Sequence, residues 1–349
     1  MQRLNPQDRK LFIDYVLTLN PDELDISAYT SIYFKKHLAC LTYTVNLAWQ
    51  IIELGLSKID KPVHQISIAE IGGGTGILSL LAKWLGFGNV IYSDTFVQSC
   101  KDFEFIASAI SLKPNAIVCG SVDELAVQFA NKIDLLVSRD VIEHIYDPKL
   151  FFTQSIQSFG SAIMVHNTSA NGYNIFKKSY FAKLHKLDEH FGNPNQFKPG
   201  DSLESFYQLR LNFIATNFPE LSDAQHLELA KNTRGRIYKD IMDDVGLYKS
   251  KGILPQLLPH PTNTCDPNNG NWTENLMSFS CYESFLFSGG YKVDWFFAPY
   301  DEWSNKGIKY LIIKLLNQLI FKAKFIKRYI SPAFILVASP SASIYEHKA

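Results

Sequence analysis

The spacing of apolar residues changes at residue 63. Over residues 1–62, apolar positions recur every three to four residues, which predicts helices. After residue 63, short apolar runs alternate with helical stretches and with turns that contain Gly or Asn. Strands that alternate with helices in this way favour an α/β fold with a mostly parallel sheet. The predicted strands are at 66–71, 89–94, 116–119, 133–138, 162–166, 291–297 and 333–338.

This pattern divides the chain into four segments. We expect a helical N-terminal segment over residues 1–62 and a Rossmann-like core over 63–169. Residues 170–252 interrupt the alternation of strands and helices with polar, helix-like sequence. This predicts a helical cap insertion over the ligand-binding face. Residues 253–349 begin as a long loop and contain the two strands that complete the sheet. Ligands of such sheets bind at the carboxyl ends of the strands.

Composition narrows the range of partners. Lys+Arg and Asp+Glu are equal at 34 each, so no net field draws the 349-residue chain to nucleic acid. The five cysteines are scattered and include no CxxC pair, which argues against a disulfide framework or a zinc site and fits a reducing compartment. The N-terminus lacks the apolar run of a signal peptide, so we expect a cytoplasmic protein. Nothing in the pattern indicates an oligomeric state.

No apolar run approaches the roughly 20 residues that span a bilayer. The nearest segment, 306–328, is rich in leucine, isoleucine and lysine. Its apolar positions do not gather cleanly on one helical face, so we predict a packed helix with solvated lysines. Peripheral contact of this segment with a membrane surface is the alternative interpretation.

A glycine-rich turn after the first predicted strand carries the strongest chemical signal. Gly72-Gly-Gly-Thr-Gly76 lies between a strand and a helix, where glycines let a ligand approach the backbone. The turn does not match the dinucleotide-binding pattern GxGxxG, because Ile77 or Ser79 stands where its third glycine would be. It does not match a phosphate-binding P-loop either, because no Gly-Lys-Ser/Thr follows. Glu70 would repel a pyrophosphate, whereas Asp94, at the end of the second strand, can bind both ribose hydroxyls. Together they indicate a cationic nucleoside without phosphate, a description that S-adenosylmethionine fits.

Four stretches, at 70–76, 92–94, 120–123 and 134–148, carry a family resemblance. In this order and spacing they resemble the class I S-adenosylmethionine-dependent methyltransferases. The last stretch is similar to the motif after strand four in the ubiquinone-biosynthesis O-methyltransferase-like group. The resemblance covers residues 66–166 well and 276–298 weakly. It implies a Rossmann-like methyltransferase fold with S-adenosylmethionine as the methyl donor.

The resemblance implies that the donor's methionine and ribose moieties lie along the first two strands. The backbone at Gly72 and Gly74 would pass the methionine moiety. Glu70 would help to hold its ammonium group, directly or through water, and Asp94 would bind the ribose hydroxyls. These four residues are therefore expected to form the cofactor-binding core.

The resemblance also implies contacts with the adenine and the sulfonium. Thr95 and Phe96 would line the adenine ring, and Ser121 and Val122, after the third strand, would contact its edge. Arg139 stands where relatives often have an uncharged residue that lines the sulfonium. A cation at this position departs from the family pattern, and an arginine that turns aside to pair with an acid would explain it.

The acceptor chemistry points to residues after the fourth and fifth strands. Methyl transfer is an in-line displacement, and a hydroxyl acceptor also needs a base within hydrogen-bond reach. Asp140, His144 and His166 are the candidate catalytic residues. On a helical turn, Asp140, Glu143 and His144 would share a face and could hold a divalent cation such as Mg²⁺. The simpler interpretation is that Glu143 and His144 only orient the loop.

These observations predict an S-adenosylmethionine-dependent methyltransferase that O-methylates a small molecule or a glycan hydroxyl. The predicted cap and the loop at 253–275 would shape the acceptor site. Two alternatives stay open. A Gly-Gly-Gly-x-Gly loop also occurs in aminopropyltransferases of the spermidine synthase type, which resemble Gly-Gly-Gly-Asp-Gly where this chain has Thr75. The second alternative is a non-catalytic, methyltransferase-like binding subunit.

Overall fold

The computed structural model describes residues 4–192, 204–258, 263–323 and 325–341. Parts of the predicted cap (193–203), of the predicted loop (259–262), of the lysine-rich segment (324) and of the chain ends lie outside the described residues. The chain divides into two compact units. The sheet unit comprises Met1–Ile142, Pro148–Ser169 and Ser278–Ala349, and the helical unit comprises Glu143–Asp147 and Ala170–Met277.

The sheet unit contains the strands β1 (Ser67–Ile71), β2 (Asn89–Asp94), β3 (Ala116–Cys119), β4 (Leu135–Arg139), β5 (Ile163–Thr168), β6 (Tyr291–Ala298) and β7 (Ala333–Pro340). They form one sheet in the order β3-β2-β1-β4-β5-β7-β6. Strands β1 to β5 are parallel, and β7 runs antiparallel to both of its neighbours. The predicted α/β, Rossmann-like fold with a mostly parallel sheet is therefore confirmed.

The order of the strands reverses at β1, since β2 and β3 lie on one side of it while β4 and β5 lie on the other. All five residues of β1 are buried, as expected for a central strand that is covered on both faces. The register sets Ile71 beside Ser93 of β2 and Ser138 of β4, so three strands end together. Open α/β sheets bind ligands beyond the carboxyl ends of the strands at such a reversal.

Helices account for most of the remaining structure that is described. Several begin at an Asn or Ser whose side chain accepts a hydrogen bond from a first-turn N–H, which satisfies an otherwise unpaired donor. The helices are α1 (Pro6–Val16), α2 (Ala28–Ala39), α3 (Leu41–Leu56), α4 (Ile77–Trp84), α5 (Val97–Ala109), α6 (Val122–Phe129), α7 (Pro148–Phe159), α8 (Ile175–His190), α9 (Phe206–Asn217), α10 (Asp223–Asn232), α11 (Tyr238–Lys251), α12 (Phe279–Phe287), α13 (Gly307–Lys322) and α14 (Lys327–Ile330). Among the described residues, none is long and apolar enough to cross a membrane.

The helical unit holds α8 to α11 together with residues 253–277, which the sequence pattern grouped with the C-terminal part. An ion pair lies inside it: Arg210 is fully buried, and its Nη2 lies 2.5 Å from an oxygen of the buried Glu189. The Thr264 hydroxyl donates to the same carboxylate, and the Arg210 Nε donates to the carbonyl of Ala230. These bonds tie α8, α9, α10 and the segment after residue 263 to one another.

Candidate functional site

The glycine turn after β1 is built from backbone that only glycine adopts easily. Gly72, Gly74 and Gly76 all have positive φ, between 54° and 71°. A Cβ on Gly76 would lie 2.0 Å from the Phe103 ring, and one on Gly72 would lie 2.6 Å from Val141. A Cβ on Gly74 would meet nothing within 4 Å. The outer glycines therefore allow close packing, whereas Gly74 presents open backbone to a ligand.

Asp94, at the end of β2, is held in place by the same turn. One of its carboxylate oxygens accepts the Gly74 N–H at 2.9 Å, and the other accepts the Phe96 N–H at 2.8 Å. The Tyr92 hydroxyl donates to the carbonyl of Gly74 at 2.7 Å, which fixes the other side of the turn. An ionised carboxylate has about four acceptor positions, so two stay available for hydroxyl groups of a ligand.

The predicted adenine contacts follow β2 and β3. Thr95 is exposed, and Phe96 is half-buried with its ring edge-to-face on Tyr29, at 5.9 Å between centroids. Val122 is buried. Ser121 caps α6, because its side chain and backbone N–H both engage the carboxylate of Glu124 at 2.7 Å. The Ser121 hydroxyl is therefore committed to a capping box.

Glu70 lies beneath the turn rather than on its surface. It is 5% exposed, and its Oε2 accepts hydrogen bonds from the backbone N–H of Ser79 at 2.9 Å and from the Ser79 hydroxyl at 2.5 Å. Burial raises the pKa of Glu70 to about 7, although the bonds from Ser79 and the charge of Arg139 oppose this rise. At neutral pH, Glu70 is therefore only partly ionised, because burial disfavours its charged form.

A histidine that the sequence analysis did not single out links the turn to β4. The Nη2 of Arg139 lies 3.1 Å from the Nε2 of His37, and the Nδ1 of His37 lies 2.7 Å from the Thr75 hydroxyl oxygen. Because arginine can only donate, Nε2 is the acceptor and the ring proton is on Nδ1. Burial, and then the charge of Arg139, lower the pKa of His37 to about 3, so the ring stays neutral. It can therefore orient the guanidinium at any physiological pH.

Asp140 follows β4 in a backbone conformation that is uncommon for residues other than glycine. Its φ is 53°, its N–H donates to the carbonyl of Asn167, and one carboxylate oxygen accepts the Ser169 N–H at 3.0 Å. The side chain is 44% exposed and lies 3.9 Å from the Nε of Arg139, which is too far for a hydrogen bond. The expected pairing of Arg139 with an acid is thus found only as a charge–charge contact with Asp140, without a hydrogen bond.

His166 lies inside the sheet unit, away from solvent. Its Nδ1 is 2.8 Å from the Ser138 hydroxyl, and its ring stands edge-on to Phe151 and Phe152. Full burial lowers the pKa of His166 to about 3. A base has to reach the acceptor oxygen, and these contacts give His166 a packing role instead.

The proposed metal ligands are brought together only in part. Glu143 and His144 belong to the helical unit, where their ligand atoms and those of Glu274 lie within 4.8 Å of one another. Asp140 is not a member of this group. The expected set required a helical turn, but the left-handed φ of Asp140 ends the strand abruptly and residues 142–144 form a turn. Spacing along the sequence therefore failed to find Glu274, which is more than 100 residues away.

His144 is oriented by a backbone carbonyl. Its Nδ1 lies 2.7 Å from the carbonyl oxygen of Trp272, which can only accept, so Nδ1 carries a proton and Nε2 is the ring nitrogen that could ligate a metal. A backbone carbonyl that orients a histidine in this way is the usual support of a metal ligand. Two carboxylates and one imidazole nitrogen are donors that suit Mg²⁺ or Mn²⁺.

A cavity of about 680 Å³ opens in the sheet unit between the N-terminal helices and the chain after β6. Aromatic rings, amides and a guanidinium share its wall: Arg9, Tyr43, Asn46, Trp49, Trp303 and Phe321. The Tyr43 hydroxyl in this wall donates to the carbonyl of Pro299 at 3.3 Å. Burial, and then the negative charge of Asp140, raise the pKa of this hydroxyl.

No protein-family model matches the chain, and no curated protein matches its sequence. Among solved structures, it is similar to an S-adenosylmethionine-dependent methyltransferase from Clostridium acetobutylicum, at 12% identity over 86% of this chain and 91% of that chain, with a TM-score of 0.42. A protein assigned to the same class, from Listeria monocytogenes, matches at 8% identity over 84% and 95%, also with a TM-score of 0.42. A protein assigned to the Zn-dependent alcohol dehydrogenases, from Rhodobacter sphaeroides, matches at 14% identity over 84% and 97%, with a TM-score of 0.41.

The solved structures that match this chain thus include S-adenosylmethionine-dependent methyltransferases. At these identities and TM-scores the likeness carries no argument about the reaction, which has to come from the residues themselves. Membership of the ubiquinone-biosynthesis O-methyltransferase-like group stays a prediction.

Proposed function

We propose that this chain is an S-adenosylmethionine-dependent methyltransferase that acts on a hydroxyl group of a small molecule or a glycan. The observation that carries the proposal is the placement of Asp94, held by the N–H groups of Gly74 and Phe96 beside the open face of the turn. A carboxylate oriented towards a glycine turn suits ribose hydroxyls and opposes a phosphate. The position at the reversal of strand order supports the same ligand class.

The donor would be held at both ends of its amino-acid moiety. Arg139 would oppose a sulfonium placed beside it, whereas the same guanidinium attracts a carboxylate. We therefore propose that Arg139, oriented by His37, binds the carboxylate of the methionine moiety. Glu70 supplies negative charge beneath the turn, which favours the ammonium group of the same moiety. The exposed Thr95 and the half-buried Phe96 are the proposed adenine contacts.

S-adenosylmethionine, when bound, supplies an electrophilic methyl group on a positively charged sulfur. Asp140 would accept the proton of the acceptor hydroxyl while the O–C bond forms and the C–S bond breaks. It is the candidate base that combines exposure with a position at the end of β4, next to Arg139. The Ser169 N–H holds one of its oxygens, which leaves the other to take the proton.

The acceptor would bind in the cavity of the sheet unit. Its aromatic rings and amides suit a ring that carries several hydroxyl groups, because the rings cover apolar faces and the amides satisfy hydroxyls. Tyr43 lies in this wall, and the charges of Asp140 and Arg139 act in opposite directions on the pKa of its hydroxyl. That residues 170–252 act as a cap that tunes acceptor specificity stays part of the proposal.

A divalent cation, if the reaction uses one, would be held by Glu143, His144 and Glu274. Titration calorimetry with Mn²⁺ tests this directly. We expect binding by the unaltered chain and its loss in Glu274→Gln, with no change in Glu228→Gln, an exposed carboxylate of the same unit. Equal binding by all three proteins would remove the cation from the proposal.

The deciding experiment is calorimetric titration of S-adenosylmethionine, S-adenosylhomocysteine and decarboxylated S-adenosylmethionine into the purified chain. Asp94→Asn should weaken binding of all three ligands by about tenfold to a hundredfold, since it removes one acceptor oxygen and the negative charge that strengthens the bond to the other. The control is Asp294→Asn, which removes a surface carboxylate paired with Lys58. Circular dichroism shows whether each variant is folded.

The three ligands separate the competing functions. A methyltransferase should prefer S-adenosylmethionine over the decarboxylated form, because only the former carries a carboxylate for Arg139. Preference for the decarboxylated form would instead favour an aminopropyltransferase. If the folded chain binds none of them, the catalytic proposal fails and the binding-subunit alternative takes its place.

A further inference from the structure

The helix α13 has two apolar faces, and only one of them is covered. Ile313 and Ile320 are buried together with Asn317 on the covered face. The opposite face carries five large aliphatic side chains that are 38–78% exposed, at the spacing of a helical stripe: Ile308, Leu311, Ile312, Leu315 and Leu319. The apolar positions of this helix are therefore divided between two faces, one buried and one exposed.

The uncovered surface continues beyond the helix. Trp303 precedes the helix, Phe321 lies in its last turn, and Phe325, Ile326 and Tyr329 follow it, all of them exposed. Phe325 is 88% exposed. Exposed apolar side chains that gather in one part of a protein surface often mark an interaction site. We call this surface, from Trp303 to Tyr329, the basic apolar face.

The charged residues of this stretch of sequence are all basic. No Asp or Glu occurs between Glu302 and Glu346, whereas the same stretch holds six lysines and one arginine: Lys306, Lys309, Lys314, Lys322, Lys324, Lys327 and Arg328. The whole chain is balanced at 34 acidic and 34 basic residues, so this is a local concentration. Within the described residues, the first four of these lysines and Lys327 form no ion pair.

The lysines flank the exposed stripe instead of interrupting it. With 3.6 residues per turn, Lys309 lies on one side of the stripe and Lys314 on the other. Long lysine side chains in such positions keep their ammonium groups in water while their stems cover apolar surface. This arrangement is typical of helices that lie in the headgroup region of a bilayer.

We propose that the basic apolar face docks on an anionic membrane surface. Charge complementarity selects this occupant. A second copy of the chain, related by a twofold axis, would set these lysines against the same lysines, which is unfavourable. Anionic headgroups neutralise the lysines while the acyl boundary receives the exposed stripe. The exposed Trp303 and Tyr329 are residue types that favour the membrane–water boundary.

The proposal is independent of the methyl-transfer reaction, but it bears on access to the cavity. Trp303 and Phe321 belong to both the basic apolar face and the cavity wall. Docking would therefore bring the rim of the cavity to the headgroup region.

Vesicle flotation of the 349-residue chain tests the proposal. The probes are phosphatidylcholine vesicles with and without about one-third phosphatidylserine. We expect co-flotation with the anionic vesicles that decreases as salt is added, and little with phosphatidylcholine alone. Lys309→Gln and Lys314→Gln should each lower partitioning about fivefold. The double variant Leu311→Ser/Leu315→Ser should lower it by at least about tenfold.

Matched controls come from other helices of the same unit. Val127→Ser removes an exposed aliphatic side chain from α6, and Lys101→Gln removes an exposed lysine from α5; both should float like the unaltered chain. Absence of co-flotation by the folded, unaltered chain at low salt would overturn the proposal. Equal loss in the controls would also overturn it. Self-association in sedimentation velocity that Leu311→Ser/Leu315→Ser abolishes would identify the face as a contact between copies instead.

Discussion

Replacing Glu70 by glutamine should make the sheet unit more stable at alkaline pH and less able to bind a cationic ligand. Glu70 is buried and accepts two hydrogen bonds from Ser79, yet burial still raises its pKa from 4.5 to about 7. Glutamine has nearly the same shape, and its carbonyl oxygen can accept the Ser79 bonds without carrying charge. The variant therefore removes the charge and little else.

The sign and size follow from proton linkage. Between pH 4.5 and about 7 the folded state keeps a proton that the unfolded chain has released, so the free energy of unfolding falls as the pH rises through this window. At about 1.4 kcal/mol per pH unit, the pKa rise corresponds to about 3 kcal/mol, lost in full above pH 7. Glu70→Gln lacks this dependence, so its advantage over the unaltered chain should grow from near zero at pH 4.5 towards about 3 kcal/mol at pH 8.

Urea titrations followed by circular dichroism at several pH values between 4.5 and 8 measure the effect. Glu104→Gln, which neutralises an exposed carboxylate on α5, is the control and should keep the pH profile of the unaltered chain. Calorimetry at pH 8 should show that the more stable Glu70→Gln variant binds S-adenosylmethionine more weakly. This is the expected result if the charge of Glu70 lowers stability but contributes to ligand binding. If the stability difference does not change with pH, the charge of Glu70 is not the cause and the reasoning is refuted.

Three further predictions concern the turn, its histidine and the helical unit. Gly74→Ala should reduce S-adenosylmethionine binding while costing only about 1–2 kcal/mol of left-handed backbone strain. Gly76→Ala should unfold the turn, because its Cβ would lie 2.0 Å from Phe103. Melting curves measure the loss of stability in each variant, and calorimetry measures the loss of binding. His37→Ala should weaken binding of S-adenosylmethionine about tenfold, which is the range of one charge-assisted hydrogen bond. Binding of decarboxylated S-adenosylmethionine should change little. Equal losses for the two ligands would contradict the role given to Arg139. Arg210→Met should destabilise the helical unit by about 3–5 kcal/mol in urea titrations, because it removes the hydrogen-bonded cation from the buried Glu189 carboxylate and leaves only Arg234, at 3.9 Å, beside it. Adding Glu189→Leu should recover part of that loss.

The strands and the glycine turn could be predicted from local sequence. Parallel strands that are buried on both faces read as continuous apolar runs, and β1 is an example, predicted at 66–71 and found at Ser67–Ile71. The glycine turn was equally visible, since the backbone at Gly72, Gly74 and Gly76 demands glycine wherever the rest of the chain lies. These features depend on neighbours within a few residues, which is the information that a sequence pattern contains.

Tertiary structure decided which side chains meet and which face water. His37 lies 38 positions before Thr75 and 102 before Arg139, and Glu274 joins Glu143 and His144 from more than 100 positions away. Asp140 does not join the expected metal ligands, because its backbone is left-handed. The dihedral angles of this one residue break the helical spacing that the sequence pattern assumed. On α13, periodicity records that a residue is apolar but not whether another element covers it. Contacts between distant residues and exposure are properties of packing, so only the folded chain determines them.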